Sequence, residues 1–168
     1  MMHNAYAYDV DGVIVDVSER LRRAKELSRN KKEFWELFFS DELHELDKPR
    51  PAGVKAVRDR ARRGYIVIIT GRPQKLLKVT LKQVVEFTGV KPACIYMRRT
   101  GDMRTSATIK LELLERAIKE GFNIVEYHDD EEEVLKNIMS TYPNITLYLH
   151  YNNSYKIFFK PLSSVNYP

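Results

Sequence analysis

The sequence predicts an α/β fold in which helices cover a mostly parallel sheet. Short apolar segments of strand length alternate with longer segments whose apolar residues recur at helical spacing. Three of the strand-like segments end in polar side chains, the pattern expected where parallel strands open onto a ligand site at their carboxyl ends. These observations indicate one open α/β sheet with a binding site where its strands end.

The order of elements follows from apolar spacing and from residues that end helices. Strands are predicted at 5–10, 65–70, 93–97, 123–128 and 145–150, with a candidate edge strand at 155–159. Helices are predicted at 18–28, 32–39, 51–63, 74–88, 106–120 and 131–141. Pro51 suits a first helical turn, and Gly64 and Gly89 suit helix ends. The fourth helix is expected to turn one apolar face to the core, formed by Leu77, Leu81, Val84 and Val85.

Length and composition indicate a single domain over 1–168, with a small helical insertion at about 17–48. The chain has 168 residues, of which 43% are hydrophobic and 30% charged, so one buried core is expected. The aromatic residues at 34–39 are expected to be core because they recur at helical spacing. Since little chain remains for a cap domain, we expect an open site that suits a bulky or polymeric substrate.

Charge, cysteine content and hydropathy restrict the class of protein. The formal net charge of +5 favours an anionic partner. No apolar run approaches the ~20 residues that span a bilayer, and the N-terminus has no secretory pattern. Cys94 is the only cysteine, so an intramolecular disulfide is impossible. We therefore expect a cytoplasmic protein without a membrane partner, and the sequence does not indicate its oligomeric state.

Asp9 and Asp11 close the first apolar segment and are followed by Gly12. On an extended chain, residues two apart point to the same side. Adjacent carboxylates repel unless a cation or a shared proton compensates them. Because Mg²⁺ prefers hard oxygen ligands, the pair indicates a magnesium site. The alternative is an Asp-Gly turn with a chance extra aspartate.

Further polar groups follow along the chain, each beside a predicted strand or helix. They are Thr70-Gly71-Arg72 after the second strand, Lys110 early in a helix, and Asp129-Asp130 after a later strand. In this order, the Asp-x-Asp-Gly, Thr-Gly-Arg, Lys and Asp-Asp motifs resemble those of the haloacid dehalogenase-like (HAD) phosphohydrolase superfamily. The resemblance implies a three-layer, Rossmann-like sheet with a minimal cap or none, and a Mg²⁺-dependent phosphoric monoester hydrolase.

A narrower resemblance lies in Met-Arg-Arg-Thr-Gly-Asp-Met-Arg at 97–104, followed by Lys110. It is similar to the phosphatase domain of phage-type polynucleotide kinase-phosphatases, and it implies nucleotide or nucleic-acid 3′-phosphate ends as substrates. The predicted substrate contacts are Gly71, Arg72, Arg98 and Arg104. Two features depart from that group: Ser106 and Ala107 replace an acidic pair, and Glu131 replaces an arginine.

The resemblance also implies catalytic roles. Asp9 is the expected nucleophile, which forms an aspartyl-phosphate. Asp11 is the expected general acid and then the base that activates water. Thr70 and the Gly71 amide are expected to bind phosphate oxygens, and Lys110 to offset negative charge.

The implied magnesium ligands are the Asp9 side chain, the Asp11 backbone carbonyl and Asp129. Asp130 is either a further ligand or a cap for the following helix. His128 precedes this pair, and we expect it either to pack in the core or to support the metal ligands from behind. A small-metabolite phosphatase remains an alternative function. A nucleic-acid-binding module without catalysis is a further alternative, disfavoured because the motif residues are all present.

Overall fold

The computed structural model describes residues 3–162 and confirms a three-layer α/β fold. Its strands are β1 (Asn4–Tyr8), β2 (Val15–Asp16), β3 (Lys48–Pro49), β4 (Tyr65–Pro73), β5 (Cys94–Arg98), β6 (Asn123–Asp129), β7 (Thr146–Tyr151) and β8 (Ser154–Phe159). Its α-helices are α1 (Ser18–Leu27), α2 (Lys31–Phe38), α3 (Pro51–Ala61), α4 (Leu77–Thr88), α5 (Ser106–Lys119) and α6 (Glu132–Thr141). Short 3₁₀ helices cover Glu42–Leu46 and Gln74–Leu76.

The main sheet has six strands in the order β5-β4-β1-β6-β7-β8. Neighbouring strands are parallel except for β8, which pairs antiparallel with β7 as the predicted edge strand. In β1, Ala7 pairs with Val67 of β4 on one side and with Tyr127 of β6 on the other. The carboxyl ends of β4, β1 and β6 therefore lie side by side, which is where such sheets bind ligands.

Apolar side chains fill both faces of the sheet because successive residues of a strand point to opposite sides. On one face, Leu114 of α5 and Leu135 of α6 pack over Ala5 and Ala7 and are fully buried. On the other face, Val57 of α3 and other aliphatic side chains pack over Tyr6 and Tyr8. Apolar side chains thus cover both faces of β1, so the polar side chains that could bind a ligand lie at the strand ends.

The predicted core face of α4 is wrong. Leu77, Leu81 and Val85 are 49%, 36% and 39% exposed, and of the four predicted residues only Val84 is buried. The buried face of α4 instead carries Thr80, Gln83, Val84 and Thr88. Thr80 and Gln83 accept hydrogen bonds from the buried Arg72 guanidinium at 3.1 and 2.8 Å. The apolar periodicity misled because this helix covers a polar network.

The aromatic residues at 34–39 are only partly core. Phe38 is buried (8% exposed), whereas Trp35 is 39% exposed. Their rings contact one another edge to face, with centroids 5.7 Å apart. Helical spacing predicted a core face, but α2 packs chiefly on α1 and not on the sheet, so part of the cluster faces solvent.

The segment between β1 and α3 forms a small helical layer held at both ends. β2 and β3 pair antiparallel, with Val15 opposite Pro49, and α1, α2 and a 3₁₀ helix lie between them. The Arg50 guanidinium donates to the carbonyl of Val13 (3.0 Å), which ties the base of this layer to the loop after β1. Within residues 3–162, no helix has the length and apolarity needed to cross a membrane.

Candidate active site

Asp9 lies directly beyond β1, between the ends of β4 and β6. Its backbone N–H donates to the carbonyl of His128 (3.0 Å), which extends the β1–β6 pairing by one residue. The chain then turns at Gly12, where φ is +80° and a Cβ would collide with the Asp130 carboxylate. Only glycine fits both the angle and the space. The loop after β1 therefore packs directly against the Asp129-Asp130 pair.

Lys110 is buried beneath this loop and contacts carboxylates from two strands. Its Nζ lies 2.9 Å from Asp9 Oδ2 and 3.0 Å from Asp129 Oδ2. Asp9, Asp129 and Lys110 are all buried, with exposed fractions of 3%, 0% and 1%. Lys110 reaches them from the second turn of α5, whose first turn is capped by Thr105 accepting from the N–H of Thr108.

Together, Asp9, Asp129, Asp130 and Lys110 form what we call the acid-rich cluster. Burial lowers the pKa of Lys110, but Asp129 and Asp9 raise it well above its ordinary value, so Lys110 remains an ammonium. Burial also raises the pKa of Asp9; Lys110 lowers it, and Asp129 and Asp130 raise it further. The cluster thus holds three carboxylates and one cation, Lys110, which pairs with Asp9 and Asp129, and it has a deficit of positive charge.

The acid-rich cluster has the donor set of a magnesium site. Carboxylate oxygens of Asp9, Asp129 and Asp130 all lie within 4.8 Å of one another. Asp130 as a whole is exposed, but its carboxylate lies against Gly12. Desolvation of this carboxylate, together with the charge of Asp129, raises the pKa of Asp130 to about 7. Hard oxygen ligands with unmet negative charge suit Mg²⁺. These residues fit the ion, and the predicted Asp11 carbonyl ligand stays a prediction.

The predicted phosphate-binding residues lie beside this cluster. Thr70 is buried, and its Oγ1 accepts from the N–H of Arg72 (3.1 Å), which leaves its own hydrogen free to donate. A Cβ on Gly71 would lie 3.5 Å from Ser106 Oγ, 3.6 Å from Arg98 Nη2 and 3.9 Å from Lys110 Cε. The absent side chain of Gly71 therefore opens a space lined by a hydroxyl, a guanidinium and the lysine.

Asp11 points away from Lys110 and into a second group of charges. Its Oδ1 accepts from Arg20 Nη2 at 2.7 Å and from Arg72 Nη2 at 2.6 Å. Asp47 contacts the same two guanidiniums, with Arg20 Nε 2.9 Å from Oδ1 and Arg72 Nη2 3.4 Å from Oδ2. We call Asp11, Arg20, Asp47 and Arg72 the balanced cluster, because two carboxylates meet two guanidiniums.

The balanced cluster fixes the position and the charge of Asp11. Although burial raises the pKa of Asp11, Arg72 and Arg20 hold it well below its ordinary value. All contacts fall on Oδ1, and Oδ2 has no hydrogen-bond partner within residues 3–162. The side chain is 19% exposed. One oxygen is thus anchored, and the other is left available to a ligand.

Arg72 and Arg104 are both engaged by other side chains, and their predicted substrate roles stay predictions. Arg72 is 1% exposed and its guanidinium donates within the balanced cluster and to α4. Arg104 pairs with Asp102 (2.8 Å) and Glu112 (2.6 Å). Within the described chain, no contact joins Arg104 to the acid-rich cluster.

Arg98 shapes the loop that precedes α5. Its Nε donates to the carbonyl of Gly71 (2.8 Å), and its Nη1 donates to the carbonyls of Asp102 (2.9 Å) and Arg104 (2.7 Å). Its Nη2 faces the space above Gly71 and makes no hydrogen bond in the part of the chain that the structure describes. Arg98 is therefore available to a ligand while it holds the loop in place.

Sequence reasoning missed Arg20, Asp47 and Glu131. Arg20 is one of several arginines on a charged helix, and no local pattern separates it from its exposed neighbour Arg22.

His128 agrees with the packing role expected of it, since it stacks on Tyr8 with ring centroids 4.1 Å apart. It carries no contact to the acid-rich side chains.

Solved structures of similar fold are found at low sequence identity. A chain of a Pnkp1/Rnl/Hen1 complex has a TM-score of 0.66 at 15% identity, over 88% of this chain and 46% of that chain. A haloacid dehalogenase-like family hydrolase from Streptococcus pneumoniae has a TM-score of 0.64 at 14% identity, over 86% and 83% of the two chains. The protein thus spans less than half the length of the first relative, and these likenesses show the shared fold.

The sequence itself matches a known family over most of its length. No curated protein matches the chain. The family described as "Polynucleotide kinase PNKP phosphatase domain" matches residues 3–141, which include every residue of the two charged clusters. The protein therefore belongs to the family of polynucleotide kinase PNKP phosphatase domains, which makes it a HAD-type phosphoric monoester hydrolase.

Proposed function

We propose that this phosphatase is Mg²⁺-dependent, acts through an aspartyl-phosphate on Asp9, and removes phosphate from nucleotide or nucleic-acid 3′ ends. The observation that carries the proposal is the buried contact of Asp9 with Lys110 (2.9 Å), beside the carboxylates of Asp129 and Asp130. A nucleophilic carboxylate must be held in line with phosphorus, and Lys110 restrains its Oδ2. Magnesium, when bound by these carboxylates, would neutralise charge on the phosphate and orient it.

In the first step, an Asp9 oxygen forms a bond to phosphorus as the bond from phosphorus to the leaving oxygen breaks. The leaving oxygen takes a proton from Asp11. The free Oδ2 of Asp11 suits this role, because Arg20 and Arg72 hold Oδ1 and fix the orientation of the carboxyl group. A dianionic phosphate beside Asp11 would raise the pKa of Asp11 and favour the protonated form that this step needs.

In the second step, water attacks phosphorus and the bond from phosphorus to Asp9 breaks. Asp11 accepts the proton of that water, which restores both carboxyl groups to their starting states. In the free protein, Arg72 and Arg20 lower the pKa of Asp11 and keep it deprotonated, which is the form that can accept a proton. Thr70 and the Gly71 amide would bind the equatorial oxygens, and Gly71 lies beside Lys110.

The family match and the basic charge support a nucleic-acid end as substrate. The formal net charge is +5, and Arg98 Nη2 faces the space above Gly71. A small-metabolite phosphatase is the second candidate, and the pairing of Arg104 with two carboxylates favours it, since that guanidinium is not free for a polyanion.

The two candidates are separated by comparing an oligonucleotide 3′-phosphate with a sugar phosphate, in Mg²⁺, at two salt concentrations. A nucleic-acid substrate predicts a higher kcat/KM for the oligonucleotide and a steep fall with salt, because several phosphates are contacted. Equal or greater activity on the sugar phosphate, with little salt dependence, would favour the small-metabolite function.

The covalent step has its own test. Acid quenching of the working enzyme, followed by peptide mass spectrometry, should locate a phosphoryl group on Asp9. With an aryl phosphate, whose leaving group needs little protonation, Asp11→Asn should accumulate more of it, because hydrolysis of the intermediate loses its base. A phosphoryl group on another residue, or none in a preparation that turns over, would contradict the assignment of Asp9.

A further inference from the structure

Lys110 has no donor left for a phosphate oxygen. An ammonium group offers three N–H donors. The Nζ lies 2.9 Å from Asp9 Oδ2, 3.0 Å from Asp129 Oδ2 and 3.4 Å from Glu131 Oε1. Three carboxylates therefore surround it in the free protein. The resemblance implies that Lys110 offsets the charge of a bound phosphate; if it does so by donating to a phosphate oxygen, an inference that rests on the proposed function, one of these carboxylates must withdraw.

Glu131 is the carboxylate that can withdraw. The side chains of Asp9 and Asp129 are 5% and 0% exposed, and they are fixed on segments that follow β1 and β6. The Glu131 side chain is 47% exposed, and its distance to Lys110 Nζ is the longest of the three. Moving it into water costs little, since half of its side chain is already exposed to solvent.

Glu131 also accepts a hydrogen bond from a second donor that lines the space above Gly71. Ser106 Oγ donates to Glu131 Oε1 (3.1 Å). The same Ser106 Oγ lies 3.5 Å from where a Cβ of Gly71 would be, beside the residues predicted to bind phosphate. A single carboxylate oxygen thus accepts from a lysine ammonium and a serine hydroxyl, which is the environment a phosphate oxygen would find there.

The position of Glu131 in its helix makes this contact unusual. Glu131 is the N-cap of α6, yet its side chain makes no capping hydrogen bond. Its backbone N–H donates to Asp129 Oδ1 (3.0 Å), which holds the residue beside the cluster. A helix N-terminus attracts acidic side chains to its own N–H groups. The Glu131 carboxylate forgoes that stabilisation and reaches back to Lys110.

We propose that Glu131 is an internal anion that occupies one phosphate-oxygen position at Lys110 and Ser106 in the free protein. Phosphate entry displaces Glu131 into solvent, so this residue lowers the affinity of the site for phosphate groups. Glu131 is therefore a specificity-determining residue, because a ligand must bring the full charge of a phosphate group to replace the Glu131 carboxylate at Lys110. Neutral and weakly charged parts of the leaving group cannot replace that charge.

The test is binding of inorganic phosphate to the Mg²⁺-loaded protein, measured as its Kd by titration calorimetry and, in parallel, as its competitive Ki against an aryl phosphate; the Kd and the Ki should change together. Glu131→Gln keeps the side-chain size and the acceptor for Ser106 but removes the charge. We expect its Ki and its KM to fall about threefold to tenfold, the range that ~0.7–1.4 kcal/mol of lost competition gives. Glu131→Asp, whose carboxylate is one methylene short of Lys110, should change Ki in the same direction. We expect kcat to change less than Ki.

The matched control is Glu132→Gln, the same charge change on the next residue, whose exposed side chain lies in the first turn of α6. It should leave Ki within about twofold, as expected for a screened surface charge. An unchanged or raised Ki in Glu131→Gln, or an equal fall in Glu132→Gln, would overturn the proposal. Failure of the wild type to hydrolyse any phosphomonoester would instead overturn the proposed function, so the two failures are distinguishable.

Discussion

Two buried charge clusters lie on either side of the loop after β1, and they differ in whether their charges are compensated. In the acid-rich cluster, carboxylate oxygens of Asp9, Asp129 and Asp130 lie within 4.8 Å of one another, and Lys110 is their one cation. In the balanced cluster, Asp11 and Asp47 are matched by Arg20 and Arg72. A cluster with unmet charge stabilises an incoming cation, whereas a matched cluster stabilises the fold. Asp9 and Asp11 are only two residues apart, yet each belongs to a different cluster.

The largest effect is expected from removing the nucleophile in the acid-rich cluster. Asp9→Asn should lower kcat on an aryl phosphate by about 10³-fold or more, because no other group replaces the attacking carboxylate. Its thermal unfolding should stay close to that of the wild type, since the change removes one of three clustered negative charges. Near-normal turnover by a folded variant would show that Asp9 is not the nucleophile.

The balanced cluster should respond in the opposite way, through stability. Arg20→Leu leaves Asp11 and Asp47 buried without one of their two partners, and breaking such a pair costs about 3–5 kcal/mol in the free energy of unfolding. Denaturant unfolding measures this loss. The matched control is Arg22→Leu on the same helix, whose side chain is 58% exposed; it should cost far less, because a solvent-exposed ion pair contributes little to stability. Equal losses in the two variants would remove the distinction between buried and surface pairs.

Lowering the pH should reduce the stability of the protein through His44, which lies beside the balanced cluster. Its Nε2 lies 3.1 Å from Arg20 Nη1, so the neutral ring accepts there, and burial followed by the Arg20 charge lowers the pKa of His44 to about 4. Between the ordinary pKa of about 6.5 and 4, the unfolded chain binds a proton that the folded protein does not. Stability should therefore fall as pH decreases across this window.

Replacing His44 isolates that contribution to the pH dependence. His44→Asn should reduce the slope of unfolding free energy against pH by about one proton, or ~1.4 kcal/mol per pH unit, between pH 6 and 4.5. The slope comes from denaturant unfolding at several pH values. A slope equal to that of the wild type would mean that His44 does not titrate differently in the folded protein.

The smallest effect is expected at Arg104, which belongs to neither cluster. Because Asp102 and Glu112 engage its guanidinium, Arg104→Ala should change kcat/KM on an oligonucleotide 3′-phosphate by less than about threefold. An aryl phosphate serves as the reference substrate. A selective loss above about tenfold on the oligonucleotide would show that Arg104 leaves its carboxylates to bind the substrate strand.

The sequence predicted the acid-rich cluster because its residues follow strands and form recognisable motifs. Asp9, Asp129 and Lys110 lie in buried segments whose order along the chain predicts the sheet that brings them together. The balanced cluster could not be predicted in the same way. Arg20 and Asp47 come from the helical insertion, 27 residues apart, and their contact depends on how that layer packs.

Polar residues on buried helix faces explain the remaining errors in fold prediction. Apolar periodicity assigned Leu77 and Leu81 to the core, but α4 turns Thr80 and Gln83 inward because they hydrogen-bond Arg72. The contact of Glu131 with Lys110 was equally hidden, since it depends on the side chain of an N-cap residue leaving its own helix. Patterns along one chain do not report such long-range polar contacts.

The central claim is that the acid-rich cluster is incomplete without a divalent cation, and the most direct test is hydrolysis of an aryl phosphate with and without that cation. Wild-type protein in excess chelator should show no turnover above background, and added Mg²⁺ should restore it. The same chelator should leave thermal unfolding cooperative, because the balanced cluster needs no cation. Full turnover in excess chelator would contradict the account.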